Sequence, residues 1–158
     1  MKKLYCPFCG SRLRERGKKG ICPLCGLPFY DNPLPATAAV AQNPKGEVIL
    51  VKRAVEPGLG KWCLPGGFLE GDESPEEGVL RELKEETGLE GEIRELIGVV
   101  HERSSLYGPV VIIGYRLMVT GGEMRPGDDA QEVRFFPPGE IPEMAFRSHM
   151  KLLQGAIR

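Results

Sequence analysis

Hydrophobic and polar positions change period several times along the chain. Residues 36–42 are small and mostly apolar, and residues 47–52 are rich in β-branched side chains. Asn43-Pro44-Lys45-Gly46 between them spells a turn, so the two segments predict a β-hairpin. Residues 54–61 read as a loop, with Pro57-Gly58 and Gly60. Leu64-Pro65-Gly66-Gly67-Phe68 reads as an irregular segment with backbone freedom at two glycines. At Ser74 the pattern becomes helical. Ser74 suits an N-cap, Pro75 the first helical position, and Glu76 and Glu77 the positive end of the helix dipole. Val79, Leu80 and Leu83 form an apolar face, Gly88 ends the helix, and Gly78 is a weak point inside it. Residues 92–102, 110–120 and 132–136 read as strands, and 144–156 as a closing helix. The order predicts an α/β domain, a mixed sheet with helices on both faces.

Composition narrows this picture. A chain of 158 residues fits one ordinary domain plus a small appendage. With 27% charged and 41% hydrophobic residues, wholesale disorder is excluded. No apolar run approaches the roughly 20 residues of a membrane helix, and no apolar stretch follows the basic start, so the expected location is the cytoplasm. The net charge of −1 hides an asymmetry. Residues 1–33 hold seven Lys/Arg against two acids, whereas 34–158 hold fourteen against twenty. Tyr30-Asp31-Asn32-Pro33-Leu34-Pro35 is dense in turn formers, which places a boundary between units 1–33 and 34–158.

Four of the five cysteines lie in the first unit, as Cys6-Pro7-Phe8-Cys9-Gly10 and Cys22-Pro23-Leu24-Cys25-Gly26. Each pair is C-x2-C, and twelve residues separate the pairs. Two sulfurs on each of two tight turns suit a tetrahedral Zn²⁺ held by four thiolates. About 30 residues cannot bury a sufficient core, so the metal would supply the folding free energy. The segment resembles a zinc ribbon, with its Lys/Arg-rich loop at 12–20. Its basic charge leaves nucleic acid as a possible partner, while a structural cap or dimerisation piece is favoured. Cys63, beside Trp62, reads as a buried, inert thiol.

The predicted helix carries Glu82, Glu85 and Glu86 at i, i+3 and i+4, three like charges on one face. They repel one another, and convergent carboxylates of this kind form a hard-oxygen site for Mg²⁺ or Mn²⁺. The surrounding window reads Gly67, five residues, Glu73, seven residues, Arg81-Glu82-Leu83, one residue, Glu85-Glu86, one residue, Gly88-Leu89. It resembles the Nudix box at every position, a match that average composition yields on the order of once in 10⁹ start positions. The resemblance implies a Nudix-type α/β/α sandwich around a mixed sheet. It also implies hydrolysis of a diphosphate linkage in a nucleoside diphosphate joined to another group. Carried over residue by residue, Glu82, Glu85, Glu86 and the carbonyl of Gly67 would hold the divalent metal. Arg81 would orient the carboxylates with Glu73 as its partner. The general base stays open between Glu86 and an acid of a later loop, Glu123, Asp128, Asp129 or Glu132, with Asp129 and Glu132 carried forward. That Gly-rich acidic loop reads as a mobile, metal-closing segment.

The substrate is less marked. A ribbon before a Nudix domain resembles NADH pyrophosphatases and a group of ADP-ribose and FAD pyrophosphatase-like proteins. Residues 99–109 lack the SQPWPFP-type stretch of the NADH enzymes. The segments 61–68 and Ala145-Phe146-Arg147-Ser148-His149 are similar to the ADP-ribose group, so ADP-ribose is the expected substrate, giving AMP and ribose 5-phosphate. NADH, FAD or an RNA cap remain alternatives, as does a ligand sensor with a nucleic-acid-binding ribbon. All the box glutamates stand, which favours an enzyme over a sensor. Tyr107, Phe135 and Phe146 are candidates to stack on a base, or core residues, and Arg103 a candidate for a terminal phosphate. His101 and His149 read as structural or solvent-facing. The resemblance also implies a homodimer.

Overall fold

The computed structural model describes residues 4–13, 19–30 and 32–157. The N-terminal unit has a two-stranded antiparallel sheet, β1 (Lys19–Ile21) and β2 (Pro28–Tyr30), with Gly20 opposite Phe29. Its own small core is Cys6, Leu13, Cys22 and Phe29, separate from the cores of the main domain. Most of the loop expected at 12–20 lies outside the described residues.

The main domain is built on a six-stranded mixed sheet. Its strands are β3 (Leu34–Gln42), β4 (Val48–Arg53), β5 (Trp62–Cys63), β6 (Leu89–Ser104), β7 (Gly108–Gly122) and β8 (Ala130–Phe136). The order is β5-β4-β3-β7-β6, with β8 paired to β4. β3 and β7 run parallel, from Leu34 opposite Val110 to Gln42 opposite Met118. The expected hairpin joins β3 to β4 through Gln42 opposite Val48, and then β4 turns its pairing to β8 and β5.

Both faces of the sheet are covered. Helix α1 (Pro75–Thr87) lays Val79 and Leu83 against Ala39, Ile49 and Leu117. Helix α2 (Arg147–Ala156) lays Leu152, Leu153 and Ala156 against Ala38, Val40 and Leu50. β3 contributes to both clusters, which is why 36–42 reads as a continuous small apolar run rather than an alternating one. The α/β/α layering expected from the sequence is the observed one.

Several elements differ from expectation. β6 and β7 are 16 and 15 residues long and form one long hairpin whose register shifts at Glu90/Gly91, Ile93/Glu95 and Leu96/Gly98. The two-residue strand β5 went unpredicted, being too short to show a period. The closing helix begins at Arg147, not at 144. Met144 instead bridges to Trp62, and the amide of Ala145 donates to the carbonyl of Trp62 at 2.7 Å.

Candidate active site

α1 is fixed at both ends by local chemistry. Ser74 accepts the amide of Glu77 at 3.2 Å while Glu77 accepts the amide of Ser74 at 2.8 Å, a reciprocal capping box. Gly88, at φ 72°, closes the other end through its amide to the Lys84 carbonyl. With the helix held in this register, Glu82, Glu85 and Glu86 all line one cleft, together with Lys84, Arg125, Asp128 and Asp129.

Arg81 organises this cleft. Its guanidinium takes Glu73 in a two-point grip at 2.9 and 2.7 Å. It also donates to Glu82 at 2.9 Å, to Glu85 at 3.0 Å and to the carbonyl of Phe68 at 3.2 Å. The planar fork thereby fixes two of the box carboxylates and the loop that precedes the helix. Hydrogen bonds from Arg81, then from the Glu70 amide, pull the Glu73 carboxyl down to about 2.

The third box carboxylate behaves differently. Glu86 accepts the Gly66 amide at 2.9 Å and is pushed up to about 7 by burial, with Glu82 and Asp129 adding to the rise. The Gly66 hydrogen bond and Arg53 oppose it. Glu82 is also raised, first by burial, against the pull of Arg81. A carboxyl near neutrality inside a cleft can either hold a proton or give way to a cation.

Gly67 meets Glu82 at close range, since a Cβ there would fall 2.3 Å from Glu82 Oε1. Its carbonyl accepts the Thr37 amide at 2.9 Å and keeps a second lone pair. A hard-oxygen donor set and a backbone that only glycine allows so close fit Mg²⁺ or Mn²⁺. Here Arg81 draws on Glu82 and Glu85 while Glu86 turns to Gly66, so the carboxylates do not meet at a point. Among the described residues, only the four N-terminal thiols bring three or more donor atoms within 4.8 Å of one another.

Those thiols fit a different ion. Cys6 and Cys25 lie 3.7 Å apart at sulfur, and Cys9 and Cys22 3.6 Å. A tetrahedron with metal–sulfur bonds of about 2.3 Å has edges of about 3.8 Å, whereas a disulfide needs about 2.05 Å. Hydrogen bonding from the Cys25 amide, then from Ser11, pulls the Cys22 thiol down to about 6, towards the thiolate a zinc ion takes.

Other expected residues fall in several places. Asp129 and Asp128 line the acidic cleft, whereas Glu132 sits on β8 opposite Lys52, 3.7 Å from Arg134, and Glu123 is not among the lining residues. The loop carrying them is not the free segment expected. Arg125 and Gly127 donate their amides to the Thr87 and Glu86 carbonyls, because the end of α1 leaves carbonyls that need donors. Phe135 packs in the core, His101 and Arg103 are exposed, and Tyr107 stands edge-on to Phe68 with ring centres 5.0 Å apart. Cys63 is buried, which pushes its thiol up to about 12 and leaves it inert as expected.

A second, mainly apolar pocket is lined by Gly66 and Gly67 together with Phe146, Tyr107, Arg53, Glu102 and His149. Arg53 and Glu102 had no motif to mark them, and His149, which ends the segment similar to the ADP-ribose group, is buried at this pocket. Glu102 and Ser148, which meet by hydrogen bond, are 46 residues apart in sequence. The cue for Arg53 is its place just past the apolar run of β4, beside the loop.

Comparison with known proteins agrees with this geometry. The family model NUDIX domain matches residues 32–154. An ADP-ribose pyrophosphatase from Methanocaldococcus jannaschii is 38% identical over 131 residues, 82% of this chain and 76% of that protein. An NAD-capped RNA hydrolase NudC from Pseudomonas aeruginosa is 27% identical over 143 residues, 89% of this chain but only 50% of its own length. The crystal structure of a NUDIX hydrolase from Nitrosomonas europaea superposes with a TM-score of 0.80 at 34% identity, covering 98% of this chain and 89% of that one. With the box residues on one capped helix, a mixed sheet covered on both faces, and matches that span most of the chain, the protein belongs to the NUDIX domain family.

Proposed function

We propose that the chain is a divalent-metal-dependent pyrophosphatase that hydrolyses ADP-ribose to AMP and ribose 5-phosphate. One observation carries this reading. Gly66 and Gly67 line the apolar pocket and also meet the cleft's carboxylates, Gly66 donating its amide to Glu86 and Gly67 lying close against Glu82, so a diphosphate lying over the cleft can send an attached nucleoside into the pocket. The 38% identity to an ADP-ribose pyrophosphatase supports the choice of substrate.

In this reading Glu82, Glu85, Glu86 and the Gly67 carbonyl hold Mg²⁺ or Mn²⁺. A cation held there would neutralise charge on the phosphate oxygens and make water a better nucleophile. Arg81 and Glu73 position the carboxylates. Glu86 is the box residue assigned to accept the proton of the attacking water, and Asp129 is the acid of the later loop that lines the same cleft. Residues 1–33 form a zinc ribbon on Cys6, Cys9, Cys22 and Cys25, and 34–158 the hydrolase domain. Four free thiols imply a reducing compartment such as the cytoplasm. The exposed Leu96 and Val99 on β6 support a homodimer. A second reading, an RNA-cap hydrolase, is favoured by the match to NudC, which is longer than the NUDIX segment alone and so extends into the ribbon.

The test is turnover of an equimolar panel of ADP-ribose, NADH, FAD and diadenosine polyphosphates with Mg²⁺ or Mn²⁺, with products resolved by chromatography. AMP and ribose 5-phosphate are the expected dominant products. Glu86→Gln should lose about a hundredfold or more in turnover with its circular dichroism unchanged. Silence across the panel would overturn the reading.

A further inference from the structure

The pocket lined by Gly66 and Gly67 also takes in the polar residues Thr37, Arg53, Glu102, Ser104, Tyr107 and His149. Its walls are chiefly Ala36, Val110, Ile112 and Phe146. Into this apolar setting come His149, only 8% exposed, and Glu102. His149 Nδ1 accepts the amide of Leu64 at 3.1 Å. An accepting nitrogen carries no proton, so the ring is the neutral tautomer with its hydrogen on Nε2. That N–H has no hydrogen-bond partner among the described residues.

Glu102 is fixed just as firmly. One oxygen accepts the Arg103 amide at 3.1 Å and the other the Ser148 amide at 3.2 Å, in the first turn of α2. Burial works against the charge, but hydrogen bonding from Ser148, then from the Arg103 amide, holds the carboxyl below its ordinary value. Glu102 and His149 therefore bring to this pocket one ionised acceptor and one imidazole N–H donor. No hydrogen bond joins the two.

We propose that Glu102 and His149 read the edge of an adenine ring, the carboxylate accepting from the exocyclic amine and His149 Nε2–H donating to the adjacent ring nitrogen. A flat ring with its polar atoms on one edge suits a place where the apolar walls of Ala36, Val110, Ile112 and Phe146 meet one acceptor and one donor. The inference rests on the hydrolase reading, because a diphosphate anchored over the carboxylates fixes which edge of the base reaches the pocket. A 6-oxo purine held the same way sets its carbonyl against the carboxylate and its ring N–H against the imidazole N–H. Both contacts then repel, and sites built on such hydrogen bonds reject the mismatched ligand strongly.

The test is equilibrium binding, measured by calorimetry on the full chain with Mg²⁺. The probes are the non-hydrolysable methylene analogues of ADP-ribose and of inosine diphosphate ribose. The ADP-ribose analogue should bind at least about tenfold more tightly. Glu102→Gln, whose amide can both donate and accept, and His149→Gln should each bring the ratio close to one. Equal binding of the two analogues by the unmodified chain, no binding of either, or an unchanged ratio in both folded variants would overturn the proposal. Product analysis separates this from the hydrolase reading. A chain that cleaves ADP-ribose without discriminating the bases sinks only the pocket assignment, and one that binds selectively without cleaving sinks only the hydrolase.

Discussion

Arg81 shows how one residue can set a site. Its five N–H groups reach Glu73, Glu82, Glu85 and the Phe68 carbonyl, so the box carboxylates and the preceding loop share one rigid clamp. Lysine, a single point donor, could not hold this many partners in fixed geometry. His149 is the residue whose environment has a consequence for stability. Burial, then the charge of Arg53, pulls its pKa down to about 4, against the attraction of Glu102. Between about pH 6.5 and 4 the unfolded chain takes up a proton at this position and the folded chain does not. Stability should therefore be fully present above about pH 6.5 and fall as the solution is acidified towards 4. The loss from this group is about 2–4 kcal/mol, because each tenfold difference in proton affinity between the two states is worth roughly 1.4 kcal/mol. Urea titrations of the unmodified chain and His149→Gln across that window would show it, since the variant should lack this part of the slope. Parallel pH profiles would mean that the imidazole is protonated in the folded protein.

At the scale of the element, α1 depends on a residue that helix propensity disfavours. Gly78 is buried on the inner face, and a Cβ there would fall 2.5 Å from Leu69 Cδ2 and 2.9 Å from Glu73 Oε1. The absent side chain lets the loop of Leu69 and Glu73 lie on the helix, which brings Glu73 to Arg81. Alanine gains about 1 kcal/mol in helix propensity, but overpacking costs about 1–3 kcal/mol. Gly78→Ala should thus lower the denaturation free energy despite its better propensity, and Ser74→Ala should cost about 1 kcal/mol through the lost cap. A stabilised Gly78→Ala protein would show that the loop can move away at no cost. The cap, the proline at the first position and the terminal glycine were all legible in the sequence, because capping is local chemistry. The role of Gly78 was not, because the atoms it makes room for belong to a loop folded back on the helix.

For the whole molecule, the N-terminal unit keeps its own core of Cys6, Leu13, Cys22 and Phe29, while two larger clusters fill the two faces of the main sheet. So small a core does not fold alone, and the ribbon should depend on its metal. Elemental analysis should find one zinc per chain, lost in Cys22→Ser, and chelation should open only the N-terminal unit to protease while the NUDIX domain stays intact. Digestion of both units at equal rates would show that the two fold as one. The sequence by itself determined the ends of α1, the hairpin, the two cysteine knuckles and the spacing of the box, because each is set by contacts within a few residues. It could not determine that Glu86 bonds the Gly66 amide, that the acidic loop docks on the end of α1, or that Glu102 and His149 line one pocket. Those pairings join residues far apart in the chain, and only the packing of α1 and α2 on the two faces of the sheet brings them together.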